Sequence, residues 1–595
     1  MQLHVKHKKL MILFICLTYY LGIQVQSVYA QSITDADKQK ALQELEKSIV
    51  EKQKLLDYEK DLRKQRALEV PKKQYSLHKM EKKVAREELV KFNVNKIILK
   101  GGSYLTRFEK GHLTEKYINT EMDQNKIYDL IRDITNYYIQ RGFITARVYL
   151  PKQTVNTGTL TLGVDEGYID DIIFKDSPNS FYQRLPLFTA FPNMKGKRLN
   201  LRDIEQGLDQ LNRLSSNHAV MKLFPSKKQK GYSVVVIENK PTLPHHISLN
   251  YDNTNPVKVI PRQSTLSKDN LLALNDFWSF TYSQDHQGKK EYSSSLSGSL
   301  SIPFGYATFS ANYSQFEYMN LIEGVFRNFT SSGKTENKTL KAETVLLRGE
   351  NTKTTIDTSL LTKHTESFIE DAINEAGSRK LTIWGIGANQ TWRGPLGVWS
   401  MGLHHQQGVP RIGATIDAND PDGTAPRAQF HKTIADFSVY KGLQLFGLPL
   451  SLRSSVRGQY SEQSLYSSER IAIGDQYTVR GFRKENIQGD IGGYIRNEVS
   501  TGFSNIALWP PLVDLAKKTN LHVYGALDAG YARAKGGKDA NNGKGEGALV
   551  GAAIGVRHYG KNMTVILTYS KAIKAPDFIN KSSHEVYFNV SFNLL

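Results

Sequence analysis

The sequence predicts a transmembrane antiparallel β-barrel of roughly sixteen strands, preceded by two small α+β modules and an N-terminal helix. Three observations carry this. After Pro241 helical periodicity disappears, and apolar residues alternate with polar ones in segments of about ten residues to the end of the chain. No apolar run beyond the first residues approaches the roughly 20 residues of a spanning helix, yet tyrosine (30), phenylalanine (25) and glycine (45) are plentiful. Before Pro241, two stretches about 75 residues apart share one order of strand, helix and two further strands.

In chain order, Lys6, Lys8 and Lys9 precede an apolar run from Leu10 to Ile23 and the tripeptide Val28-Tyr29-Ala30, which predicts a signal peptide over 1–30. The one cysteine, Cys16, falls inside that run behind the bulky Ile15, where a lipid-attachment site wants a small residue. The exported chain is therefore expected to be free of cysteine, and to rely on packing or a closed sheet rather than disulfides. The formal net charge is +20, but lysine and arginine are spread along the whole chain instead of clustering with aromatic stacking positions. That pattern argues against nucleic acid and for a solvated basic surface facing anionic lipid headgroups or a secreted partner.

Residues 31–69 predict a helix. Thr34 with Asp37 three residues on makes a capping box, and Leu42, Leu45, Ile49 and Leu56 recur at helical spacing. From Asp35 to Glu69 there are nine acidic and nine basic residues, so the apolar stripe is thin and the helix suits either a solvated spacer or a wet, charged cavity. Pro71 closes it, and the lysine-rich stretch 70–91 reads as a linker.

The first module, 92–166, predicts a strand over Val94–Leu99 and a helix bearing Ile127, Leu130, Ile131, Ile134 and Tyr138 that stops at Gly142. Alternating strands over Ile144–Leu150 and Leu160–Val164 follow. The second, 167–241, predicts a strand over Ile169–Phe174, a helix capped by Asn200 with Asp203 and bearing Ile204, Leu208 and Leu211, and strands near Ala219–Phe224 and Tyr232–Glu238. Exposed edges of such sheets can either pack on neighbours or accept an extended peptide as an added strand.

Residues 242–595 hold room for roughly sixteen strands at about 22 residues per strand and connection. The last is the clearest: Val586, Phe588, Val590, Phe592 and Leu594 share one face, and Tyr587, Asn589, Ser591 and Asn593 the other. Long polar connections such as Arg533–Gly547 and Ala575–Ser583 predict the outside end, and the short His558–Lys561 a periplasmic turn.

By that alternation 471–492 is a long outside loop, between a strand ending near Tyr460 and one starting near Tyr494. Gly474, Asp475, Gln476 and Gly481 break the strand pattern, so its backbone can fold tightly. At its centre stands Val479-Arg480-Gly481-Phe482, an arginine between hydrophobes that cannot shed its proton and must find water or a carboxylate. If Ile495, Val499 and Phe503 face lipid, Arg496 and Glu498 turn inward; if Val523, Leu527 and Ala529 face lipid, Asp528 turns inward. Gly525 and Gly530 flank that carboxylate and are expected to leave room for a loop to approach.

The signal peptide, helix, two modules, barrel and Val-Arg-Gly-Phe loop together resemble a two-partner secretion transporter of the Omp85 superfamily. The resemblance covers nearly the whole exported chain. It implies that the modules are POTRA domains and that the helix plugs the pore. It also implies that the loop after the eleventh strand folds into the lumen, where Arg480 meets Asp528 of a strand-13 motif, with Arg496, Glu498 and Gly530 on the wall nearby. The implied activity is export of one large partner polypeptide, taken up by the POTRA domains, from periplasm to cell surface. The implied partners are that exoprotein, outer-membrane lipid and lipopolysaccharide, and the barrel assembly machinery and periplasmic chaperones for biogenesis. One departure is the C-terminus, Phe592-Asn593-Leu594-Leu595, where such barrels commonly end in an aromatic residue.

An assembly factor that inserts other barrels shares the Val-Arg-Gly-Phe loop but usually has more POTRA modules and no pore helix; a passive channel would not need the modules. No cofactor is expected: Gly543-Lys544-Gly545-Glu546-Gly547 is not followed by the Lys-Ser/Thr of a phosphate loop, and no Gly-x-Ser-x-Gly elbow appears. The adjacent pairs His245-His246 and His404-His405 lie on strands, where neighbours point to opposite faces, so no shared metal is expected.

Overall fold

The computed structural model describes residues 91–594, apart from 154–157, 176–180, 254–261, 289–290, 324–326, 376, 418–422, 424, 484, 507–509, 536–545 and 580–583, and upstream of these only Ala41, Gln43 and Val50. The expected signal peptide, linker and most of the N-terminal helix lie outside the described residues, as does the glycine-rich 543–545. The three upstream residues are helical, and Ala41 is buried among Ile322, Phe329 and Ile369 of the barrel.

In the first module the helix Gln124–Gln140 starts at Asp123, whose side chain accepts the Lys126 N–H, and buries the predicted Ile127, Leu130, Ile131, Ile134 and Tyr138. The expected strand Val94–Leu99 is two strands in different sheets. Phe92–Val94 pairs with Thr120–Met122, while Lys96–Gly101 runs parallel to Thr159–Asp165. The chain switches sheets at Asn95, where the N–H groups of Asn95 and Lys96 both donate to the Gly158 carbonyl. Ile144–Leu150 contributes only Arg147–Tyr149, because turns occupy the residues after Gly142. A second helix, Arg107–Thr114, was not expected; it has few apolar residues but carries a full capping box between Thr106 and Glu109.

The second module places Tyr168–Phe174 parallel to Tyr232–Glu238, with Val220–Pro225 antiparallel on the far side. Its helix Leu201–Leu211 buries Ile204, Leu208 and Leu211. Another helix, Phe181–Ala190, escapes sequence reading because Pro186 interrupts its pattern.

Glu166 joins the two modules. It is buried and accepts hydrogen bonds from Tyr104 N–H, the Ser103 and Tyr138 hydroxyls and Arg198 Nε of the second module, the last at 2.8 Å. Burial pushes its carboxyl upward, but these four donors outweigh it and hold the pKa below the usual carboxylate range.

Sixteen strands close the barrel: His245–Asp252, Arg262–Asp269, Phe277–Gly288, Glu291–Phe304, Ala307–Glu323, Asn328–Arg348, Thr352–Ile369, Arg379–Gly394, Gly397–Gly408, His431–Leu445, Leu448–Ser461, Ile491–Gly502, Leu521–Arg533, Glu546–Tyr559, Met563–Lys574 and Glu585–Asn593. The sixteenth pairs antiparallel with the first, from Asn589↔Asp252 to Asn593↔Ser248, so no edge remains. Closure satisfies the backbone polar groups that lipid cannot. The outer face carries exposed residues such as Phe280, Leu296, Phe309, Leu340 and Leu527. Turns such as Phe304–Ala307 and Tyr559–Met563 are short, but the connection 503–520 at the same end is not, and carries the helix Pro510–Thr519. Phe503 falls in its short 3-10 turn rather than in a strand.

The second module docks on this short-turn end. Arg213 reaches Ser301 Oγ at 2.6 Å, Arg348 reaches Asp209 at 2.8 Å, the Ser216 N–H donates to Asp269 at 2.9 Å, and Gln210 donates to the Gly305 carbonyl at 2.9 Å.

Candidate functional site: an inward loop held by buried charges

The loop after the eleventh strand turns into the barrel and is buried along most of its length. Ile471–Ile473 pairs with Ile487–Gly489 as a two-stranded hairpin. At its tip the Asp475 carboxylate accepts the N–H groups of Tyr477 and Thr478 at 2.7 and 2.8 Å, and the Asp475 N–H returns to the Val479 carbonyl. This local turn presents Arg480 to the wall.

Arg480 and Asp528 meet in a two-pronged pair. Nε donates to Oδ2 at 2.6 Å and Nη2 to Oδ1 at 2.9 Å, while the Arg480 backbone N–H also donates to Oδ2. Arg480 is 3% exposed and Asp528 1%. A third donor, Nη1, reaches Glu498 at 3.4 Å. Glu498 is itself gripped by Arg557 of the fourteenth strand, with Nη2 at 2.6 Å, and approached by Arg453 of the eleventh at 3.5 Å. Tyr524 forms a floor, its ring centroid 4.0 Å from the Arg557 guanidinium carbon and 5.9 Å from that of Arg480.

The neighbours of Arg480 are wedged in by packing. Val479 and Phe482 are buried with Ile473, Ile487, Ala532, Leu549 and Ala572. Gly481 has φ +98°, and a Cβ there would lie 2.6 Å from the Lys571 carbonyl carbon. Across the contact, a Cβ on Gly551 would lie 1.8 Å from the Arg480 carbonyl oxygen, so close backbone approach requires glycine on both sides. Gly530 faces Val479. Gly525 does not serve the loop: it differs from Asp528 by an odd number of residues, points to the other face, and has open space around it. Arg496 lies on the wall and donates to the Tyr477 carbonyl at 2.5 Å.

A second cluster fixes the root of the same loop. The short 3-10 turn Ser467–Glu469 places Glu469, 4% exposed, between two buried lysines. Lys363 of the seventh strand donates to Oε1 at 2.6 Å and Lys432 of the tenth to Oε2 at 2.7 Å, and Gln459 holds the Glu469 carbonyl at 3.0 Å. Nothing in the spacing of these residues joins them. The one sequence signal was strand parity, which turns Lys363 to the same face as Asp357.

Of the paired histidines, His246 lies 3.5 Å from Asp269 while its neighbour His245 meets Lys268 at 3.1 Å. Among the described residues no group of three His, Cys, Asp or Glu side chains could hold a metal.

The chain as a whole is similar to known proteins. The model of the haemolysin secretion/activation protein family ShlB/FhaC/HecB matches residues 231–558, and POTRA models match 92–167 (ShlB-type) and 168–225. The chain is 29% identical over 479 residues to the outer membrane transporter CdiB of Dickeya dadantii, covering 80% of this chain and 82% of that one. It is 30% identical over 390 residues to the hemolysin transporter protein ShlB of Serratia marcescens, covering 64% of this chain and 67% of that one. The solved structure of CdiB from Escherichia coli superposes with a TM-score of 0.82 at 26% identity, over 92% of this chain and 98% of that one. With the family model spanning more than half its length, the chain belongs to the haemolysin secretion/activation protein family ShlB/FhaC/HecB.

Proposed function

We propose that this chain is the outer-membrane half of a two-partner secretion system, taking one large exoprotein from the periplasm and delivering it through its barrel to the cell surface. The observation that carries this reading is a closed sixteen-strand barrel with two POTRA modules fastened to its short-turn mouth and a loop pinned inside its lumen. Its relatives are named as transporters, which does not favour the alternative role of barrel assembly factor.

In this reading each part has a task. The POTRA modules bind the unfolded N-terminal region of the passenger by strand addition, for which Lys96–Gly101 and Val220–Pro225 are edge strands of their sheets. The helix over 31–69 plugs the lumen and leaves to admit the passenger. Arg480 fixes the loop tip to Asp528, and Val479, Gly481 and Phe482 fit the tip to the wall, while Arg496 and Glu498 keep it in register. Folding of the passenger outside removes unfolded chain and biases movement outward, so no nucleotide is needed. For its own insertion the barrel uses the assembly machinery and periplasmic chaperones, and its outer rim sits in lipopolysaccharide.

The test is removal of the transporter from the producing cell. One large polypeptide is expected to vanish from the culture medium and to return with the wild-type chain; unchanged medium with depleted outer-membrane barrels would instead indicate the assembly role. In planar bilayers, deleting 31–69 is expected to raise conductance, and equal conductance with and without that segment would remove the plug from the reading.

A further inference from the structure

The lumen has two chemically different halves. On the inner face of the seventh to fourteenth strands stand charged side chains, among them Asp357, Asp436, Arg453, Arg457, Glu498 and Asp528. They are tied up in ion pairs such as Arg457–Asp436 at 3.7 Å and Arg453–Glu498 at 3.5 Å. The loop crosses this half, fixed at its root to the seventh and tenth strands and at its tip to the thirteenth.

The second to fifth strands differ. Their outward positions are marked by exposed Leu266, Phe280, Leu296 and Phe309, so strand parity turns a run of small hydroxyl and amide side chains inward. Ser283, Ser295, Ser297, Ser299, Asn312 and Ser314 belong to it. Ser283 and Ser295 bond each other across strands at 2.7 Å, as do Thr265 and Thr281 at 3.0 Å. Charged residues on this inner face, Asp269, Asp285 and Glu291, lie at or near strand ends. Ala41 of the N-terminal segment packs beside the same wall, against Ile322 of the fifth strand and Phe329 of the sixth.

We infer that the hydroxyl-paved wall of the second to fifth strands is the surface along which an unfolded polypeptide slides, and that the charged half is fixed scaffolding for the loop. This rests on the transport reading above. A chain in transit presents backbone N–H and C=O groups at every residue and side chains of both signs. Hydroxyls donate and accept, so they satisfy either backbone group and exchange readily with water. A wall of fixed charges would hold oppositely charged passenger side chains with bonds roughly twice as strong as neutral ones, stalling movement in a sequence-dependent way. Small side chains also leave room beside the wall up to the outer half of the fifth strand, where Phe316, Tyr318 and Ile322 turn inward.

The experiment uses the full chain with Cys16→Ser, so that each added cysteine is the only one. Ser297→Cys or Asn312→Cys tests the hydroxyl wall, and Ser438→Cys or Ser455→Cys the facing strands ten and eleven. The probe is the polypeptide whose disappearance from the medium identifies it as the passenger, given scattered cysteines and a tightly folded C-terminal fusion that stalls it. Disulfide adducts at 297 and 312, with none at 438 and 455, are expected. Adducts on both walls, or only on strands ten and eleven, while the unfused passenger is still secreted, would overturn the path and leave transport intact. If no polypeptide leaves the medium on loss of the transporter, transport and path fail together.

Discussion

The inward loop is held at both ends by buried ions, but the two ends use different chemistry. At the tip a guanidinium meets one carboxylate through two parallel bonds and touches a second. At the root a carboxylate sits between two ammonium groups. Arginine fixes direction through its planar fork, whereas a lysine ammonium is a compact point charge whose three donors can rotate. The tip is therefore the rigid, oriented contact, and the root the more forgiving one. Packing does not separate them: Val479 and Phe482 wedge the tip into an apolar pocket, and Leu465 and Tyr466 pack the root against Leu381, Ile383, Ala428 and Phe430.

Removing the tip charge is expected to have the largest effect. Arg480→Ala leaves Asp528 buried without its counter-ion, a loss on the order of 3–5 kcal/mol in loop docking. Secretion is expected to collapse while the barrel still shows a heat-dependent gel shift; normal secretion by this variant would mean the pair does not serve transport. Arg480→Lys keeps the charge but loses the fork, costing about 1.5–3 kcal/mol. Its secretion is expected to lie between wild type and alanine, and equality with wild type would show that charge alone suffices at the tip.

At the root, Glu469→Gln keeps a side-chain oxygen that still accepts from one of the two ammonium groups, so the expected cost is about 1–3 kcal/mol. Limited proteolysis should then cut the loop sooner near Ser467 while the tip contact persists. A loss of secretion as complete as that of Arg480→Ala would erase the distinction between the ends.

The smallest effect is expected outside the membrane, at Glu166, where one arginine and three neutral donors replace the ion clusters. Its folded pKa is lowered, so its contribution to module stability is complete above the unfolded value of about 4.3 and is lost as pH falls through the folded one. Thermal unfolding of the modules followed from about pH 7 to about pH 3 should show this loss. Glu166→Gln should flatten it, and an unaltered pH profile in that variant would assign the acid sensitivity to other groups.

Much of this molecule is written in local pattern. Strict two-residue alternation gives barrel strands because a strand between lipid and water must present opposite chemistries on its two faces. Parity alone turned Glu498 and Asp528 inward, and helical spacing marked Ile127 to Tyr138 and Ile204 to Leu211. Where local signals conflict, reading fails: Pro186 hid one helix, a sparse apolar face hid Arg107–Thr114, and the sheet switch at Asn95 was invisible because it depends on the distant Gly158 carbonyl. Gly525 shows the same limit, since closeness to Asp528 in sequence did not place it on the same face.

The sequence by itself determined the order of parts, the strand faces and an arginine in need of an acid, because these follow from periodicity and from the cost of burying an unpaired charge. Only the tertiary structure decided that Glu469 lies between Lys363 and Lys432, that Glu498 is shared among three arginines, and that charge and hydroxyl occupy opposite sides of the lumen. Those pairings join residues 18 to 106 positions apart, and they exist only once sixteen strands have closed into one wall around a common interior.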